Sequence, residues 1–145
     1  MKYIKMFTRD YHFLSNFSNS PIKMGEYTFL NGEAAFQSFK DLSRMGEFQN
    51  LNPSEAKKLG RKVKLREDWE SIKYDIMYQV VLAKFSQNED LKIKLLDTGE
   101  AFLEEGTLWH DNCWGNCRCN KCKDIVGKNY LGQILMRVRN ELSSK

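Results

Sequence analysis

Asn31-Gly32-Glu33-Ala34-Ala35-Phe36-Gln37-Ser38-Phe39-Lys40-Asp41-Leu42 sets how the rest of the chain is read. Asn31 is a favoured N-cap, its side-chain oxygen able to accept from the first unpaired N–H groups. The alanines and spaced phenylalanines that follow predict a helix to Leu42. Upstream the pattern differs. Tyr3-Ile4 and Met6-Phe7 look like short strand, and Ile22-Lys23-Met24 and Tyr27-Thr28-Phe29 read as a hairpin turned at Gly25. Between them, Phe13 to Asn19 is a loop with aromatic and aliphatic anchors. Downstream the chain is helical. Asn52-Pro53-Ser54-Glu55 starts a short helix ending at Gly60. Asp68 caps a longer one with Trp69, Ile72, Ile76, Val80 and Ala83 as its apolar face. Another runs from about Glu89 to Leu96 and stops at Gly99. Ala101 to Glu105 is a strand, and a last helix, about Leu131 to Leu142, carries a stripe of Leu131, Ile134, Leu135, Val138 and Leu142. No repeat or linker divides residues 1–145, so the expectation is a single, mostly helical α+β domain with a small β-sheet.

The bulk composition supports a packed domain. Of 145 residues, 41% are apolar and 29% charged, with only two prolines, which excludes a disordered, collagen-like or mucin-like chain. The net charge is 23 − 19 = +4. That bias suits a phosphate-bearing substrate but does not diagnose a nucleic-acid coat protein. The longest useful apolar run, Val80 to Ala83, falls far short of the roughly 20 residues of a membrane span. The charged N-terminal stretch lacks the apolar core of a signal peptide. The expected setting is cytoplasmic, with thiols reduced.

Four groups of residues could carry chemistry. Glu33 and Lys40 lie seven apart on the expected helix. A rotation of about 700° puts both on one face, about 10 Å apart along the axis. With Phe36 and Phe39 beside them, a carboxylate and an amine could act as acid/base and nucleophile; the plainer alternative is a solvated helix face. Trp109-His110-Asp111-Asn112-Cys113-Trp114-Gly115 places aromatic faces around an acid and an amide, suiting a planar base and a sugar hydroxyl, or else a packed corner. Cys117-x-Cys119-x-x-Cys122, preceded by Cys113 and His110, offers up to five soft ligands where zinc needs four. The fourth ligand is then either Cys113 or His110, and free packing thiols are the alternative. His12 has no partner nearby in sequence. Gly127-Lys128-Asn129 precedes the last helix, where free amides could seat a phosphate; it is not a P-loop, and taken alone it signals a helix start and little more.

Taken in order, these pieces resemble the NADAR family (NAD and ADP-ribose), the YbiA-like N-glycosidases. Phe13-Leu14-Ser15-Asn16-Phe17 resembles the family's "LSNF" loop, and Glu33 to Lys40 its acidic helix. Ala56 to Gly60-Arg61, Leu65 to Trp69, Lys84-Phe85 and Leu95 to Gly99 follow. Asp111 to Gly115 and Gly127 to Arg139 complete the pattern. The resemblance implies hydrolysis of the N-glycosidic bond of a ribose phosphate. The substrate would be ADP-ribosylated guanine in nucleic acid or a ribosylaminopyrimidine phosphate of riboflavin biosynthesis.

Carried over, Glu33 is the general acid/base, Lys40 the amine that forms a Schiff base, and Asp111 a second carboxylate. Asn16, Phe17, Arg61, Trp69, Trp114 and Asn129 shape the substrate pocket. No cofactor is required for catalysis, and any zinc is structural. Partners are the ribose-phosphate or ADP-ribosyl substrate, with or without nucleic acid, and no membrane. Two departures bear on substrate choice. Ala34 stands where many members have His or Gln, and the cysteines replace a Gly-rich loop. The alternative is a non-catalytic module that binds ADP-ribose or nucleic acid through the same pocket.

Overall fold

A computed structural model describes residues 2–144. The chain forms two compact units. Among the described residues, one comprises residues 16–92, the other residues 2–15 with 93–144.

The central unit begins with β2 (Asn19–Met24) and β3 (Tyr27–Asn31), an antiparallel hairpin in which Met24 faces Tyr27 and Ile22 faces Phe29. Gly25 turns it with φ of +63°, a left-handed conformation that glycine adopts without a Cβ penalty. The register slips between Asn19 and Ile22, next to Pro21, which has no N–H to give a ladder. Asn31 ends β3 and caps α1 (Gly32–Ser38), its Oδ1 accepting from the Ala34 N–H at 2.7 Å.

Here the structure departs from expectation: α1 stops at Ser38 rather than continuing to Leu42. Asp41 is the reason. Its carboxylate accepts from the Ser43 N–H at 3.2 Å and hydroxyl at 2.6 Å and starts a separate 3₁₀ segment, Leu42–Phe48. Such a local side-chain bond competes with continued α-helix. Lys40 therefore sits on the turn after the helix, its N–H bonded to the Gln37 carbonyl at 3.1 Å.

Next comes α2 (Pro53–Lys62), opened by the expected reciprocal capping of Asn52 and Glu55 and extending two residues past Gly60. Then α3 (Trp69–Gln87) lies against β2. Gln87 fixes that packing, donating to the Lys23 carbonyl and accepting its N–H, both at 2.8 Å. The buried face of α3 is Trp69, Met77, Val80, Val81, Lys84 and Phe85. Ile72, Ile76 and Ala83, expected to face inward, are only half-buried.

In the other unit β1 (Tyr3–Ile4) pairs in parallel with β4 (Phe102–Leu103), and β5 (Gly106–Thr107) with β6 (Asn116–Cys117). The anticipated sheet is thus three separate two-stranded pieces. Residues 9–14, expected to be partly loop, form a 3₁₀ turn. α4 (Glu89–Asp97), whose residues divide between the two units after Lys92, ends before Gly99. α5 (Tyr130–Ser143) packs along β4 with its expected apolar stripe fully buried.

Candidate active site

Glu33 is buried in the first turn of α1. Its N–H donates to the Asn16 carbonyl at 3.0 Å, and its Oε1 accepts from Gln37 Nε2 at 3.0 Å. Asn16 is itself buried, with Nδ2 on Met77 Sδ at 3.3 Å. Its amide lies so close to Gly32 that a Cβ there would stand 2.8 Å from Asn16 Oδ1. Asn16 therefore anchors the start of α1 and holds the backbone of Glu33.

Lys40 lies beyond the helix end, half-buried, its Nζ 5.7 Å from the centroid of the Trp69 ring. Trp69 is buried and tilted against Phe36, centroids 5.1 Å apart. Burial pulls the Lys40 ammonium below its usual range. The Glu33 carboxylate opposes this, while Arg61, Lys57 and Lys73 reinforce it. A lysine so placed is a better nucleophile at neutral pH than an exposed one. Arg61 is exposed on α2, and Phe17 is 40% exposed with Lys57 Nζ 5.7 Å from its ring centroid. An open cleft of about 510 Å³ begins at Lys40 and is walled by Asp41, Ser43, Lys64, Arg66 and Asp68. The central unit thus brings together Glu33, Lys40, Trp69 and the positive charges of Arg61 and Lys57.

Sequence spacing places Gln37 on the face of Glu33 without giving it a role, and it gives no sign of a part for Lys84. Gln37 is buried, and its Oε1 has no hydrogen-bond partner among the described residues. Lys84 is 1% exposed, with Nζ on Ser18 Oγ at 3.0 Å. The available signal for Lys84 was its spacing, four beyond Val80 and seven beyond Met77, on the face that proved to be buried.

Asp111, Trp114 and Asn129 belong to the other unit. Asp111 Oδ1 accepts from the N–H groups of Cys113 and Trp114, at 3.0 and 2.9 Å, closing a turn. Trp114 packs edge-on against Tyr130, whereas Trp109 is exposed. Asn129, at φ of 52°, is buried with both ends of its amide engaged. Oδ1 accepts from the Glu105 N–H at 3.0 Å and Nδ2 donates to the Leu103 carbonyl at 2.9 Å. The anticipated phosphate seat before α5 is filled by the chain itself. The N–H groups of Gly127, Lys128, Asn129, Tyr130 and Leu131 donate to Asn116, Asn112, Gly115, Cys113 and Trp114. A second groove, about 530 Å³, is lined by Lys2, Arg9, Tyr11, Phe13 and Lys94 and holds none of the expected site residues.

His110, Cys117, Cys119 and Cys122 converge, with ligand atoms all within 4.8 Å of one another; Cys113 stands outside the set. Burial pushes the Cys117 thiol up, but hydrogen bonds from Cys119, His110 and Cys122 outweigh it and bring it down to about 6. Burial raises Cys122.

Comparison with known proteins adds the relationship. The N-glycosidase YbiA of Escherichia coli (strain K12) is 37% identical over 139 residues, covering 92% of this chain and 83% of that protein. The chloroplastic riboflavin biosynthesis protein PYRR of Zea mays is 38% identical over 97 residues, 63% of this chain and 15% of that protein. The NMR structure of the E. coli protein YbiA matches with a TM-score of 0.84 at 35% identity, covering 99% of this chain and 86% of that one. Residues 3–143, spanning both units, match the NADAR domain model; the chain belongs to the NADAR domain family.

Proposed function

We infer that this chain is an enzyme of the N-glycosidase class, a hydrolase of N-glycosyl bonds, as its YbiA relatives are named. We propose further that its substrate is a ribose phosphate bearing an N-linked base. Two candidates fit: ADP-ribosylated guanine in nucleic acid, or a ribosylaminopyrimidine phosphate of riboflavin biosynthesis. The name of the maize relative supports the second. The observation that carries the reading is the Lys40 amine, its pKa lowered by burial, beside Trp69 and within the field of Glu33.

In this reading the neutral amine of Lys40 attacks the anomeric carbon as the bond to the base breaks, and the Glu33 carboxylate relays to the departing base the proton that the attacking nitrogen sheds. Opening of the sugar ring leaves a Schiff base on Lys40. The Glu33 carboxylate then takes a proton from the water that adds to the Schiff base and returns it as the sugar leaves, which restores the amine. One water is consumed. Gln37 orients the Glu33 carboxylate through its 3.0 Å hydrogen bond, and Arg61 and Lys57 supply positive charge for a phosphate.

The test is to incubate the protein with each candidate substrate and follow release of base, with and without borohydride. A ribosyl adduct on the peptide containing Lys40, absent from Lys40→Ala, supports the mechanism. Turnover by Lys40→Ala at a near-normal rate rejects Lys40 as nucleophile. Ligand binding with no release from any candidate favours the binding module instead.

A further inference from the structure

We propose that His110, Cys117, Cys119 and Cys122 hold a structural zinc ion that clamps the loop carrying Asp111 and Trp114. The four residues come from two short pieces of chain. His110 lies just after β5, with a left-handed φ of 66°, and its N–H donates to Cys117 Sγ at 3.3 Å. Its Nδ1 lies 3.3 Å from both Cys119 Sγ and Cys122 Sγ. Cys117 ends β6, which pairs in parallel with β5. Cys119 and Cys122 bracket a single 3₁₀ turn closed by the Cys122 N–H on the Cys119 carbonyl at 3.1 Å.

The dimensions fit a tetrahedral centre. With Zn–S of about 2.3 Å and Zn–N of about 2.0 Å, ligand atoms sit roughly 3.5–3.8 Å apart along the edges. The observed spread, all within 4.8 Å with the imidazole nitrogen at 3.3 Å from two sulfurs, requires only small shifts. Three thiolates and one imidazole are a closed donor set, which suits a structural zinc and leaves no position for water. Such a centre has a formal charge of 2 − 3 = −1. Arg118 and Lys121 are interleaved with its cysteines, and Lys123 follows the last of them.

The ion would close a loop of six residues, Asp111 to Asn116. Asn112 Oδ1 accepts the Cys117 N–H at 2.8 Å, tying the loop to a ligand. The carbonyls of Cys113 and Trp114 receive the N–H groups of Tyr130 and Leu131 at the start of α5. The metal therefore braces the loop that caps α5, and Cys113 serves that cap rather than the metal.

The test uses the full chain, expressed with zinc and purified without chelator. One zinc per chain is expected by elemental analysis, retained in Cys113→Ser and lost in Cys119→Ser and His110→Ala. Chelated wild-type protein titrated with cobalt(II) should show thiolate charge-transfer absorption and the intense visible bands of a tetrahedral site. Hydrogen exchange at the Cys113 and Trp114 amides should quicken on chelation and slow again on zinc addition. Wild-type protein that carries no metal and takes up no cobalt overturns the site. Loss of metal from Cys113→Ser overturns the ligand set. Exchange at Cys113 and Trp114 indifferent to metal overturns the bracing role.

Discussion

The side-chain amide of Gln37 occupies the space that a Cβ at Gly60 would fill, while its nitrogen holds Glu33 at 3.0 Å. Packing of α1 on α2 thus reaches the Glu33 carboxylate through one buried amide. The colliding atom is the end of a side chain, so it can yield, but only by giving up its bond to Glu33.

Gly60→Ala follows from that geometry. In a helix interior the change is worth about 1 kcal/mol in favour of alanine, and displacing a buried amide costs about 1–3 kcal/mol. The net is a loss of about 0–2 kcal/mol, so the urea midpoint should stay in place or fall modestly. Turnover should nevertheless fall, because Glu33 loses its donor. An unchanged kcat together with an unchanged midpoint would disconnect Gln37 from the chemistry.

Gly132→Ala should behave differently. A Cβ there collides with the Leu103 carbonyl and the Asn129 amide, neither of which can swing aside without breaking the contact between β4 and α5. A loss of about 3 kcal/mol is expected. Asn129→Ala should cost about 2–4 kcal/mol by leaving the Glu105 N–H and Leu103 carbonyl unpaired and removing a residue tolerant of left-handed φ. Denaturant melts check both. If Asn129→Ala keeps full stability and raises KM instead, Asn129 is a substrate contact after all.

Much of this was legible in the sequence where the signal is local. The Asn31 and Asn52 caps, the turn at Gly25 and the stripe of α5 all arise from residues within a few positions of one another. The end of α1 was not, because Asp41 has to be seen starting a new 3₁₀ segment rather than extending the old helix. The face of α3 was misjudged for a different reason. A buried lysine breaks apolar periodicity, and Ile72 and Ile76 are hydrophobic yet only half-buried. At the site, Glu33 and Lys40 could be named from the helix and the family resemblance. Gln37 over Gly60, Asn16 behind Glu33 and the convergence of His110, rather than Cys113, on the three cysteines depend on contacts between distant segments, or on a backbone angle that sequence does not announce.

Glu33→Gln keeps shape and can still accept the Gln37 hydrogen bond, so stability should change by less than about 1 kcal/mol. The amide cannot exchange a proton near neutral pH. Turnover should fall by about 10²–10⁴-fold, the usual worth of general acid–base catalysis. Wild-type rates would remove Glu33 from the mechanism.

The pH dependence of Lys40 gives the most discriminating prediction. Its ammonium is already depressed, first by burial, with Glu33 pulling the other way and Arg61, Lys57 and Lys73 adding repulsion. If the neutral amine attacks, kcat/KM rises with pH through the Lys40 pKa and levels off above it. Arg61→Gln removes a repelling positive charge, makes the ammonium more stable and moves that rise to higher pH. Lys57→Gln does the same less strongly. Neutralising Glu33 removes an attractive charge and moves the rise of the residual activity to lower pH. Opposite shifts from opposite charges are the signature of a titrating lysine between them. The measurement is kcat/KM against pH for wild type and the three variants at constant ionic strength, since screening weakens each effect. If Arg61→Gln raises KM uniformly while the rising limb stays in place, Arg61 acts only as a phosphate contact, and the ionisation that limits the rate belongs to another group.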